Sequence, residues 1–102
     1  MDHKIAYICS PYRGDIQRNV EYAKELTEEA IKRGYAPIVP HIYLPLVLDD
    51  SNQASRALGL ELALTLLRKC DVILVGKRYG TTPGMLMEIL ESATLCIPIE
   101  EV

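Results

Sequence analysis

Several features are scarce in this chain of 102 residues, and each scarcity removes a class of function. Basic charge is short. Eleven Lys and Arg stand against 14 Asp and Glu, a formal net charge of -3 with a pI of about 5.3. That balance excludes a nucleic-acid polymer as partner, because binders of the phosphate backbone carry basic patches. No apolar run reaches the length of a membrane span, which excludes a membrane as partner. Met1-Asp2-His3-Lys4 leads straight into a strand rather than a signal peptide, which points to the cytoplasm. Cysteine is sparse and odd in number. Cys9, Cys70 and Cys96 fit neither a disulfide framework nor zinc-ligand spacing, so they read as small buried residues in a reducing compartment. No repeat, low-complexity stretch or linker divides the chain, and nothing in it calls for a metal or cofactor. With 49% apolar and 25% charged residues, it reads as one soluble domain, 1–102, large enough for a real core.

Residues 4–9 (K-I-A-Y-I-C) read as a first strand. A periodic segment follows, with Ile16, Val20, Ala23, Leu26, Ala30 and Ile31 at helical spacing. Asp15 at its start, Lys32-Arg33 in its last turn and Gly34 beyond are matched start and stop signals. Residues 35–39 give a second strand, closed by Pro40. Residues 40–53 form a long apolar connection with Pro40, Pro45 and an Asp49-Asp50 turn. Such a loop is expected to pack over a ligand or against another subunit. Residues 54–69 contain L-G-L-E-L-A-L-T-L-L, which alternates like a strand. Its Leu, Ala, Glu and Arg are nevertheless strong helix formers, and Thr65 is the one β-branched residue. A helix apolar around most of its circumference buries two faces, which suggests a homo-oligomer interface. Residues 71–76 (D-V-I-L-V-G) are a central parallel strand. Thr82 caps a helix with Pro83 as its first residue, running to Ala93, and residues 95–99 make the last strand. The order predicts an α/β fold, a parallel sheet flanked by helices.

Three clusters then follow strand ends: Ser10-Pro11-Tyr12-Arg13-Gly14, Pro40-His41, and Thr81-Thr82-Pro83-Gly84-Met85-Leu86-Met87-Glu88. Open α/β sheets bind small ligands at that edge, where strand order reverses. Ser10, Pro11, Arg13, Gly14, His41, Thr81, Thr82, Gly84 and Met85 are therefore candidate ligand contacts. Glu88 lies one turn after Gly84 on the same helix face, and the absent side chain gives a ligand access to backbone and carboxylate. The helix start offers free N–H groups for an anion. A carboxylate there suits attack on a sugar carbon. Arg13 suits a bidentate phosphate or carboxylate contact, against a plain surface role. Tyr7 is either core or the group that holds Glu88 by hydrogen bond. Asp71 reads as a structural acceptor for nearby backbone.

Y-I-C-S-P-Y-R-G at the start, and C-D-V-I-L-V-G with G-M-L-M-E-I later, resemble the nucleoside 2-deoxyribosyltransferase-like superfamily, most closely its small bacterial and phage members. The resemblance covers essentially the whole chain. It implies a flavodoxin-like (Rossmann-like) fold, homodimers or larger oligomers with sites at subunit contacts, and a nucleoside or nucleotide as the small-molecule partner. The superfamily includes transferases that exchange bases on deoxyribose and hydrolases that cut deoxynucleoside monophosphates. Glu88 aligns with their nucleophile, Tyr7 with the tyrosine that positions it, and Arg13-Gly14 with the turn near the phosphate. Thr82 stands where the transferases use an aspartate and the hydrolases a phosphate-binding serine, and its hydroxyl favours the nucleotide-handling branch. The chain departs from the pattern at Ala63, where active members carry an aspartate that helps the base leave. Protonation would then fall to Glu61 or His41, or not occur. The chain also stops soon after its last strand, where larger members continue. Two functions follow: cleavage or transfer at an N-glycosidic bond through Glu88, or non-catalytic binding of a nucleotide or nucleotide sugar. A purely structural oligomeric module is the third.

Overall fold

The computed structural model describes residues 2–49 and 51–102. The Met1 lead-in and the Asp50 half of the expected turn lie outside the described residues. Asp49 does form a turn, its Oδ1 accepting from Ser51 N at 3.0 Å and Ser51 Oγ at 2.7 Å.

Four strands make one parallel sheet: β1 (Ile5–Cys9), β2 (Ala36–Ile38), β3 (Val72–Val75) and β4 (Ile99–Glu101), in the order β2-β1-β3-β4. From β1 the chain moves outward one way to β2 and the other way through β3 to β4. The reversal falls between β1 and β3, where Cys9 pairs with Val75. Loops leaving these two strand ends must diverge, and a crevice opens between them. All four residues of β3 are buried, as expected for β-branched chain covered on both faces.

Helices α1 (Ile16–Lys32), α3 (Gln53–Leu67) and α4 (Pro83–Thr94) cover the sheet, and a short helix, α2 (Pro40–Tyr43), follows β2. The side-chain alternation of β1 and β3 divides the core. Ala6, Ile8, Val72 and Leu74 pack with Tyr22, Leu26 and Ala30 of α1. On the other face Tyr7, Cys9, Ile73 and Val75 pack with Ala63 and Leu67 of α3 and Met85 of α4. Tyr7 therefore points toward α4, the helix that carries Glu88. Gly76 lets α1 approach closely, since a Cβ there would stand 2.5 Å from Leu26 Cδ1 and 2.6 Å from the Tyr22 hydroxyl.

The parallel α/β architecture, the helical reading of L-G-L-E-L-A-L-T-L-L and both helix caps agree with the sequence. Asp71 accepts from Ile5 N at 2.7 Å, which ties β3 to β1. Three details differ. Residues 40–53 are not a bare loop, because Pro40 starts α2 and a 3-10 turn follows at Leu44–Leu46. The last strand starts later than residue 95. Cys96 takes φ 57 to end α4, and pairing resumes only where Ile73 N donates to Pro98 O at 3.0 Å. For the same reason Cys96 is exposed, while Cys9 and Cys70 are buried as expected.

Candidate functional site

Each of the three loop clusters is held by its own local chemistry. After β1, Ser10 and Pro11 stay buried while Arg13 and Gly14 are exposed, and Gly14 takes φ 95. The fully buried Asn19 pins this turn, its Nδ2 donating to Tyr12 O and Arg13 O at 3.0 Å each. Its Oδ1 accepts from Arg18 Nη2 at 3.0 Å, and the Arg18 guanidinium lies 3.9 Å above the Tyr79 ring. The loops after β1 and β3 are thereby braced to each other. After β2, Pro40 starts α2 and brings His41 Nε2 to 2.8 Å from Ser10 Oγ. After β3, Thr82 Oγ1 accepts from Met85 N at 3.2 Å and Pro83 takes the first helical position, so α4 starts where the sequence places it. Met85 and Glu88 then lie three residues apart on one helix face.

Between these loops and α3 lies a cavity of about 650 Å³, within the range of small-molecule sites. Tyr7, Ser10, Arg13, Gly14, His41, Thr82, Gly84, Met85 and Glu88 line it. A Cβ on Gly84 would meet nothing nearer than Thr82 Oγ1 at 4.0 Å, so the absent side chain is part of the open volume. Pro11 and Thr81 are not among the lining residues: Pro11 is buried behind the turn, and Thr81 faces outward ahead of the cap. Glu61, considered as a proton donor, is exposed on α3 and also outside the lining. Ala63 does line the cavity.

Glu88 is half-buried and its Oε2 accepts from the Tyr7 hydroxyl at 2.5 Å. Burial pushes its carboxyl up from 4.5 to about 7, against hydrogen bonds from Tyr7 and Cys9 that favour the charged form. Burial, then the Glu88 charge, raises both Tyr7 and Cys9, so each keeps its proton and remains a donor. Burial holds His41 down to about 4, a neutral imidazole paired with Ser10. The floor of the cavity is thus a carboxyl group held by the neutral Tyr7 hydroxyl, with the Cys9 thiol beside it donating to Met85 O at 3.8 Å. Its upper wall is apolar, with Leu44 and Leu48 from the 40–53 segment and Leu60 and Ala63 from α3. No group of three or more possible metal ligands occurs among the described residues.

Sequence reasoning passed over Asn19, Arg56 and the role of Cys9. Asn19 carried a usable signal, since it shares a helical stripe with Tyr22, Ala23 and Leu26, and a buried amide must find partners. Arg56 lines the cavity from α3, a position that helix packing alone determines. Cys9 lies against Glu88 only because β1 and α4 meet.

A family profile for the Domain of unknown function (DUF7768) matches residues 4–102. Among solved structures, the chain is similar to a 2-deoxyribosyltransferase from Bacillus psychrosaccharolyticus, with a TM-score of 0.67 and 17% identity over 94% of this chain and 69% of that one. It is also similar to a 2-deoxyribosyltransferase from Leishmania mexicana, with a TM-score of 0.63 and 17% identity over 96% of this chain and 63% of that one. No curated protein matches the chain at a significant level. At this identity the likeness establishes the fold, an α/β parallel sheet of the deoxyribosyltransferase type.

Proposed function

The chain belongs to the family of the Domain of unknown function (DUF7768), and on the site that this fold carries we propose that it cleaves or transfers at the N-glycosidic bond of a nucleoside or nucleotide. Glu88 is the nucleophile and Tyr7 the group that orients it. The observation that supports this most directly is the 2.5 Å hydrogen bond from Tyr7 to Glu88 Oε2 beside an open cavity. A fixed carboxylate oxygen can attack an anomeric carbon, provided the sugar is held against it. Gly84 leaves room for that sugar. Ser10, Arg13, Gly14, His41, Thr82 and Met85 surround the space. At the start of α4 the N–H left for a ligand is that of Gly84, since Pro83 has none and Met85 N donates to Thr82 Oγ1. In this reading residues 1–102 form one deoxyribosyltransferase-like unit, acting on small molecules in the cytoplasm.

Exposed Leu58 and Leu62 of α3 and Leu86, Met87 and Leu90 of α4 add a second element. Met87 also lines the cavity, so this apolar surface continues to its mouth. We take it as the contact of a homodimer or larger homo-oligomer, to be checked by sedimentation.

The test is incubation with deoxynucleosides and their monophosphates, following free base. Release that disappears in Glu88→Ala supports the enzyme. Ala63 in the cavity wall favours a second reading, a nucleotide or nucleotide-sugar binder without turnover. Its signature is thermal stabilisation alone, about 2.7 kcal/mol with ligand at a hundred times Kd.

A further inference from the structure

We propose that the substrates of this site are N-glycosides of cationic heterocycles, sugars bearing a quaternised ring nitrogen such as a pyridinium at the anomeric carbon. The inference rests on the reading of Glu88 as nucleophile and adds the class of leaving group.

Two features carry it. The first is how Glu88 is solvated. Its carboxyl group is partly withdrawn from water and held by the Tyr7 hydroxyl, a neutral donor from β1. Its anionic form gains from a positive charge placed beside it, more than it would in water. A cationic glycoside brings that charge into the ground state, and the oxocarbenium-like transition state spreads it toward the nucleophile. Arg13, on the turn after β1, and Arg56 of α3 are exposed at the rim, where water and salt screen them from the reacting centre.

The second feature is where protons are held. A neutral base must receive a proton on its nitrogen as it departs, an assistance worth roughly two to four orders of magnitude. Glu88 itself is the one carboxyl group among the lining residues. Leu44, Leu48, Leu60 and Ala63 have no proton to give, and the hydroxyls of Tyr12, Ser55 and Thr82 are weaker acids than a carboxyl. The Tyr7 proton is committed to Glu88, and His41 is bonded to Ser10. Burial keeps that imidazole neutral near pH 7. A pyridinium has no such requirement. As Glu88 Oε2 bonds to the anomeric carbon, the carbon–nitrogen bond breaks and its electron pair returns to the ring, which leaves as a neutral pyridine. Water then attacks the glycosyl ester, restoring the Glu88 carboxylate and releasing the free sugar and one proton to solvent.

The full chain is incubated with nicotinamide riboside and nicotinamide mononucleotide, and in parallel with thymidine, deoxyinosine and their monophosphates. Released base is measured by chromatography after subtraction of the buffer rate. The expected result is a kcat/KM at least 100-fold higher for the pyridinium compounds, lost in Glu88→Gln as well as Glu88→Ala. The rate should rise with pH through about 7 and then level off, with no falling limb from a general acid. Equal or faster release from the neutral nucleosides would overturn this inference and leave the Proposed function intact. Absence of Glu88-dependent release from either group would overturn both.

Discussion

Replacing Glu88 by Gln should stabilise the protein above neutral pH and do progressively less in mild acid. Burial raises the folded-state carboxyl from 4.5 to about 7. Between those values the folded chain binds more protons than the unfolded one, so stability falls as pH rises through the window and levels off above it. Taken in full, the shift corresponds to about 3 kcal/mol. Glu88 opens onto the cavity, and solvent screening there reduces the expected effect to about 2 kcal/mol. Gln has the same shape and can still bond Tyr7, yet it carries no charge to desolvate. The stability difference between Glu88→Gln and the parent should therefore be smallest at pH 4.5 and grow by about 2 kcal/mol by pH 8. For a domain of this size that growth corresponds to roughly 10 °C in Tm. Urea unfolding of both proteins at pH 4.5, 6, 7 and 8 measures it directly. A difference that stays flat within about 0.5 kcal/mol across that range would refute the claim that Glu88 is desolvated in the folded state.

Other perturbations separate the roles of single residues. Asn19→Ala leaves the carbonyls of Tyr12 and Arg13 without their amide donor and frees Arg18. It should cost about 2 kcal/mol and speed amide hydrogen exchange around residues 12–14 more than in β3. Gly84→Leu places a side chain into open cavity, so ligand-induced thermal stabilisation should vanish while Tm without ligand moves by only a degree or two. Gly76→Ala forces a methyl against Leu26 and the Tyr22 hydroxyl and should destabilise by about 1–3 kcal/mol, read as a lower urea midpoint.

Much of the architecture was legible before any coordinates, because it rests on local rules. Asp15, Lys32 and Gly34 bracket α1, and the Thr82-Pro83 pair starts α4 one turn before Glu88. The residue types of L-G-L-E-L-A-L-T-L-L outweighed its alternation. The errors fell where a tertiary partner decides. Pro40 permits either a loop or a helix start, and packing against Ser10 through His41 accompanies the helix. The β4 boundary moved because the left-handed turn at Cys96 delays pairing until Pro98 reaches β3, which a run of apolar letters cannot reveal. Pro11 and Thr81 share the strand-end clusters with lining residues, yet one backs the turn and the other faces away from the cavity.

The chain's own pattern of periodicity, caps and β-branched runs was enough to determine a parallel α/β domain and the placement of Glu88 near a helix start, since those depend on residues a few positions apart. Only the assembled structure decided the rest: Tyr7 reaching Glu88 across 81 positions, Asn19 holding the Arg13 turn, and the Ser10–His41 pair. Those contacts depend on which sheet face a strand residue takes and on how loops from adjacent strands converge. Local sequence preferences do not encode either, so the electrostatic state of the site emerged with the tertiary fold.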